Sequence, residues 1–91
     1  NVVVGSVFTA DQFYDANPDS AAKYRAMSIL AVEMETAGLY LTAANAGKQA
    51  LSILTISDLV FTGEGLTADE RQNSFTEMME IAMEAAWKSL D

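Results

Sequence analysis

The stretch Leu30-Ala-Val-Glu-Met-Glu-Thr-Ala-Gly38 constrains the fold more than any other. It opens as a β-run, with Ile29, Leu30 and Val32, closes on two carboxylates and passes straight into helix-forming sequence from Thr36 to Ala46. A strand interior excludes charge, because a buried carboxylate is costly or gives up its ionisation. Alternation along an extended chain places Glu33 and Glu35 on one face with Met34 opposite, and a bend into the helix at Glu35 parts them. Two uses stay open for these acids. One is structural, with both carboxylates solvated at the open end of a strand or bonded to nearby backbone N–H groups. The other is recognition of a polyol. A carboxylate has about four lone-pair sites and no donor, so it accepts from two neighbouring hydroxyls at once.

A chain of 91 residues makes one domain or part of one. Hydrophobic residues supply 51% of it, a share suited to central strands buried on both faces, as in α/β proteins. Asn1-Val-Val-Val-Gly5 reads as a strand already under way, with neither an initiator Met nor a signal-peptide pattern, as expected for a piece of a larger protein. Thirteen acids against five bases give a net charge of −8. That balance argues against a nucleic-acid or anionic-membrane surface, both of which need basic patches. No apolar run reaches transmembrane length. Without Cys or His there is no disulfide, thiolate, imidazole base or Cys/His zinc site, and a cytoplasmic setting is favoured.

Taken in order, Val2 to Val7 reads as a buried strand, followed by a loop or short turn over Phe8 to Tyr14. Phe13 and Tyr14 either pack in a core or offer a stacking platform to a planar ligand. Asn17 suits a helix N-cap and Pro18 the first helical position, for a short helix to about Met27. The Ile29–Met34 strand and its helix follow, and Gly47 closes that helix by tolerating the left-handed conformation. Ala50 to Ile56 reads as a further apolar strand, ending in Ser57-Asp58 ahead of the loop Thr62-Gly-Glu-Gly65. In open α/β sheets ligands sit beyond the carboxyl ends of strands, where Glu33, Glu35 and Asp58 are all expected. Asp58 serves equally well as a solvated strand terminator.

Thr67-Ala-Asp-Glu70 matches a capping box, opening a helix to about Leu90. Phe75, Met78, Met79, Ala82, Ala86 and Leu90 recur at helical spacing as a core face, with Glu77, Glu80 and Glu84 on the solvated side. Arg71 is out of place in the first turn, where the helix dipole disfavours a cation. It either pairs at the surface with Asp69 or Glu70 or reaches across the loop towards Asp58.

The segments Val32-Glu-Met-Glu-Thr-Ala-Gly38, Ile56-Ser-Asp58 and Thr67-Ala-Asp-Glu-Arg-Gln-Asn-Ser-Phe75, with Phe8-Thr-Ala-Asp-Gln-Phe-Tyr14 upstream, together resemble the bacterial, hexameric type of purine nucleoside phosphorylase. The resemblance runs along essentially the whole chain. Glu-Met-Glu and Ser-Asp are shared with the wider superfamily of nucleoside phosphorylases and nucleosidases, and Glu-Arg-Gln narrows the match. It implies that residues 1–91 are the C-terminal part of a single nucleoside phosphorylase domain. The implied fold is a three-layer α/β/α architecture around a mixed, partly barrel-like sheet. The implied reaction is reversible phosphorolysis of purine nucleosides in a cytoplasmic homohexamer, with inorganic phosphate as co-substrate and neither cofactor nor metal.

The resemblance also implies roles. Asp58 would be the general acid that protonates the purine's five-membered ring, assisted by Arg71. Glu35 would hold the ribose hydroxyls, with Met34 against the sugar. Phe13 would pack on the base, Val32 and Glu33 would line its pocket, and Ser57 would sit beside it. The family commonly has His after the Ser-Asp pair, where this chain has Leu59, which bears on substrate preference and loop packing. Its phosphate-binding arginines and glycine loop belong to N-terminal segments outside these residues, and a neighbouring subunit contributes to its site, so this stretch alone is expected to be inactive. The rival expectations are a methylthioadenosine/S-adenosylhomocysteine nucleosidase, which uses water, and a non-catalytic α/β module whose acids are structural.

Overall fold

The computed structural model describes residues 2–90. It is a mixed α/β chain with the order β1 (Val7–Thr9), α1 (Ser20–Ala26), β2 (Ala31–Glu33), α2 (Thr36–Asn45) and α3 (Ala68–Lys88). It divides into two compact units, the first ending at Ser52 and the second beginning at Ile53.

The first unit is built on a parallel pair of strands. Val7 lies beside Ala31, Phe8 beside Val32 and Thr9 beside Glu33. The Leu30 N–H to Ser6 carbonyl bond (2.9 Å) and the Ala10 N–H to Glu33 carbonyl bond (2.8 Å) extend the ladder at its two ends. Parallel strands need a crossover, and α1 supplies it. The Tyr24 ring of α1 stacks on Phe8 of β1 with centroids 4.4 Å apart. The helix starts two residues later than its Asn-Pro signal suggests. The Asn17 side chain accepts the Asp19 N–H at 2.9 Å, and this local turn precedes the first helical residue, Ser20.

Both helices of this unit end in the same motif. In α1 the Ile29 N–H returns to the Tyr24 carbonyl and the Ser28 N–H to that of Arg25, with Ser28 left-handed at φ 59°. In α2 the Lys48 N–H returns to Ala43 and that of Gly47 to Ala44, with Gly47 at φ 67°. Gly47 therefore closes α2 as its sequence position indicates. Ser28 does the same work at a steric cost that glycine escapes.

The passage from β2 to α2 is organised by Glu33. One of its carboxylate oxygens accepts the N–H groups of Glu35 and Thr36, each at 2.7 Å, and the other accepts the Thr9 hydroxyl. The Thr9 oxygen accepts the Ala37 N–H at 3.0 Å. Thr36, 6% exposed, is the one buried residue among those described, and its hydroxyl donates to Ser52 at 2.9 Å. Burial pushes the Glu33 carboxyl up. The hydrogen bonds from Thr9, Glu35 and Thr36 outweigh that and bring it from 4.5 down to about 2.

The second unit carries a looped segment and α3. Thr67 caps α3 by accepting the Glu70 N–H at 3.1 Å, while the Glu70 carboxylate accepts the Thr67 N–H at 3.0 Å. Ala50 to Ile56 is not a strand, and neither is Val2 to Ser6. A strand exists only through a neighbour's backbone, and beyond the Leu30 N–H to Ser6 carbonyl bond neither segment joins a ladder among the described residues. Accessibility still alternates along the first of them, with Ile53, Thr55 and Ser57 less exposed than Leu54, Ile56 and Asp58. The packed stripe of α3 is also displaced by about one residue from the expected face. Ser74, Met78, Ile81, Ala82 and Ala85 are the half-buried positions, whereas Phe75, Met79, Ala86 and Leu90 are exposed. The Thr55 hydroxyl reaches the Met78 sulfur at 3.4 Å and marks the packed side.

Among the described residues no hydrophobic side chain is buried, and Val4, at 94% exposure, is the extreme case. None of the described helices is long and apolar enough to cross a membrane.

Three stability effects follow and are read on the complete protein. Replacing the cap with Thr67→Ala should lower unfolding stability by about 1 kcal/mol, measured by urea denaturation. Ser28→Gly should raise it by roughly 0.5–1 kcal/mol, because the left-handed position loses its steric cost. Glu33 is depressed in the folded state, so its contribution is complete above its ordinary value of 4.5 and is lost as pH falls towards about 2. Urea midpoints followed across that window should decline with acidity, and Glu33→Gln should flatten this decline.

Candidate functional site

Asp58 sits in a tight loop closed at both ends by backbone bonds. The Leu66 N–H bonds to the Ser57 carbonyl at 2.8 Å, and the Leu59 N–H to that of Glu64 at 2.6 Å. These bring Asp58 and Gly65 into an isolated antiparallel bridge. At the tip Gly63 takes φ 73°, a conformation that favours glycine, and the Gly63 N–H returns to the Leu59 carbonyl at 2.8 Å. The Thr62 hydroxyl accepts the Glu64 N–H at 3.2 Å, a second local tie.

Gly65 is needed for a different reason. A Cβ there would lie 2.6 Å from the Asp58 Oδ1 and 3.6 Å from the Ser57 carbonyl oxygen. The Asp58 carboxylate thus occupies space that only a missing side chain leaves. The Ser57 hydroxyl adds a bond of 3.3 Å to its other oxygen.

These residues form the wall of an open hollow of about 380 Å³, with Ile56, Leu59 and Leu66 supplying apolar surface and Asp58, Glu64 and Glu70 supplying charge. No Lys or Arg lines it. The Thr67 backbone N–H, and then its hydroxyl, hold the Glu70 carboxyl below the usual carboxylate range. Glu70 therefore stays ionised on the wall. An acid-lined hollow of this kind is poorly suited to holding an anion. No cluster of three or more His, Cys, Asp or Glu side chains able to hold a metal is present among the described residues.

Arg71 follows Glu70 in the first turn of α3. It forms no ion pair with Asp69, Glu70 or Asp58 within 4 Å; Lys88 with Glu84, at 3.4 Å, is the pair that α3 does make. Its guanidinium is exposed and one residue beyond the hollow's wall.

The remaining candidates belong to the first unit. Phe13 is 76% exposed and meets only the edge of Tyr14, at a centroid distance of 4.9 Å, so neither ring packs in a core. Val32 and Met34 are exposed as well. Glu33 and Glu35 do not share a face in an extended run. The strand stops at Glu33, the chain bends, and Glu35 occupies the N-cap position of α2 with φ −129° and ψ −20°. Glu33 is bonded to backbone N–H groups, while the exposed Glu35 side chain makes no capping bond.

Three participants escape a reading of the residues in isolation. Thr9 is one; its signal is the parallel register that sets it beside Glu33. Gly65 is another, needed for what it lacks. The third is Tyr40, whose hydroxyl accepts the Ser52 N–H at 3.0 Å and ties the chain back after α2.

The family model described as Phosphorylase superfamily matches residues 1–91. The chain is 57% identical over 83 residues to the purine nucleoside phosphorylase DeoD-type of Clostridium perfringens, covering 91% of this chain and 35% of that protein. It is 56% identical over 85 residues to that of a Geobacillus species, covering 91% and 35%. For the Bacillus cytotoxicus protein the figures are 55% over 86 residues, 94% and 37%. The chain thus spans little more than a third of the length of the curated relatives it matches. With the family model matched from its first residue to its last, this chain belongs to the phosphorylase superfamily.

Proposed function

We propose that this chain is the C-terminal part of a purine nucleoside phosphorylase, which converts purine ribo- and deoxyribonucleosides and inorganic phosphate reversibly into free base and pentose 1-phosphate. The observation that carries the reading is 55–57% identity to proteins named purine nucleoside phosphorylase, maintained over nine-tenths of this chain. Both units would belong to one α/β/α domain whose sheet is mixed and partly barrel-like. The exposed apolar residues of β2, α2 and α3 would be covered by the rest of that domain and by neighbouring subunits of a cytoplasmic hexamer.

The chemistry assigns work to each side chain. As the glycosidic C–N bond breaks, its electron pair passes to the purine and positive charge develops on the ribose. A phosphate oxygen then bonds to the anomeric carbon. Asp58 gives its proton to a nitrogen of the five-membered ring, which makes the base a better leaving group. For this it must carry a proton when the nucleoside binds. Arg71 moves towards Asp58 and stabilises the carboxylate left behind. Its lack of a competing ion pair leaves it able to do so.

Glu35 accepts from the two ribose hydroxyls, with Met34 against the sugar. Phe13 packs on the base, with Ser57, Val32 and Glu33 around it. Phosphate is a co-substrate held by segments outside these residues, in keeping with a hollow that no cation lines. No cofactor and no metal enters the reaction.

In the complete enzyme, Asp58→Asn should lower the rate of phosphorolysis by roughly 10²–10⁴-fold, the usual worth of a positioned general acid, and Arg71→Ala should lower it by a smaller factor, with the fold intact by circular dichroism. Release of purine should require inorganic phosphate. Wild-type rates in both variants would overturn the site, and release at full rate without phosphate would make the enzyme a hydrolase.

A further inference from the structure

The first turn of α2 is capped in an unusual way, and Glu35 is the residue set free by it. Glu35 holds the N-cap position, from which a short polar side chain ordinarily accepts the N–H of the second or third helical residue. Here the donors up to the second helical residue are already taken. The Glu35 and Thr36 N–H groups go to Glu33, and the Ala37 N–H, the second helical donor, goes to the Thr9 oxygen at 3.0 Å. A threonine hydroxyl has one proton and two lone pairs. Thr9 uses the proton on Glu33 and a lone pair on Ala37, so it is tied to both ends of the β2–α2 junction.

We propose that Thr9 is a positioning residue for nucleoside binding: by occupying the Ala37 N–H it keeps the Glu35 carboxylate from folding back to cap its own helix and leaves it facing outward for the sugar. This rests on the reading that Glu35 holds the ribose hydroxyls. Without the Thr9 hydroxyl, the Ala37 N–H is an orphan donor at the positive end of a helix. The nearest acceptor in sequence is the Glu35 carboxylate. A self-capped Glu35 must break that bond before it can accept from a sugar, so each ribonucleoside binds against an internal competitor. Loss of the Thr9 hydroxyl also frees one Glu33 oxygen, the other acceptor open to the Ala37 N–H; an unchanged ribonucleoside KM in Thr9→Val would mean that Glu33 takes that bond and would overturn the proposal.

The test uses the complete enzyme with two probes, a purine ribonucleoside and the matching 2′,3′-dideoxynucleoside. Thr9→Val keeps the shape of the side chain and removes both functions of the hydroxyl. It should raise the KM for the ribonucleoside roughly five- to tenfold, the usual strength of one capping bond, with kcat much less affected. The inhibition constant of the dideoxynucleoside, which has no hydroxyls for Glu35, should stay within about twofold of wild type, since no hydrogen bond to it is lost. Thr9→Ser, which restores the hydroxyl, should return the ribonucleoside KM to the wild-type value, and this variant decides the matter even if Thr9→Val does not fold. In a Glu35→Ala background, Thr9→Val should add nothing.

Equal losses on both probes, full additivity with Glu35→Ala, or a serine variant as impaired as the valine one would each overturn the proposal while leaving phosphorolysis standing. A Glu35→Ala enzyme that binds both probes as wild type does would instead refute the role of Glu35, and the proposal with it.

Discussion

The structure of the first unit depends on a single carboxylate being surrounded by donors. Glu33 ends β2, accepts the Thr9 hydroxyl from β1 and takes two consecutive N–H groups from the start of α2. Each of these groups would otherwise be a cost. A carboxylate at the end of an apolar strand needs partners, and the first N–H groups of a helix have none of their own. Meeting both demands with one residue fixes the bend at Met34 and Glu35. It also fixes the strand register, because Thr9 reaches Glu33 only when the two lie side by side. The lowered pKa of Glu33 and the capping of α2 are therefore one fact seen from its two partners.

How far the fold is legible in the sequence depends on the range over which each element is specified. The capping box from Thr67 to Glu70 is a four-residue device and forms where the sequence puts it. Gly47 closes α2 for the same local reason. The end of α1 is found to within a residue although it has no glycine, because the return bonds to Tyr24 and Arg25 need only backbone. Strands are different. Val2 to Ser6 and Ala50 to Ile56 have the composition of buried strands, but a ladder is a relation between segments, and beyond the single Leu30–Ser6 bond neither enters one among the described residues. The face of α3 is found only in part for a related reason. Apolar spacing selects Met78 and Ala82, which are half-buried, together with Phe75, Met79, Ala86 and Leu90, which are exposed, and it passes over Ser74, Ile81 and Ala85. Large apolar side chains say that a face is to be covered, not by which part of the protein.

The candidate site shows the same division. Asp58, Glu33 and Glu35 are singled out by residue chemistry alone, as acids at the ends of apolar runs. Their distinct tasks are not. The structure separates the two glutamates at a bend, engages one and leaves the other exposed. Asp58 stands not at the end of a strand but in a closed loop, where Gly65 makes room for its carboxylate. That arrangement is invisible to a pattern of charges, because the deciding feature at Gly65 is an absent Cβ.

The distribution of charge then limits what this part of the protein can do by itself. Three acids and no base line the hollow at Asp58, so a phosphate ion entering from water would meet net repulsion there. The neutral nucleoside of the proposed reaction would meet no such repulsion. Arg71, exposed and in no ion pair with Asp58, Asp69 or Glu70, is the cation to which that proposal gives the neutralising of Asp58 after proton transfer. A site that must first tolerate a protonated acid and then a carboxylate is served better by a mobile cation than by a fixed one. A guanidinium held permanently against Asp58 would favour the charged form from the start and remove the proton the reaction needs. On that proposal, the first turn of α3, whose dipole disfavours a cation, gives Arg71 little to hold it in place.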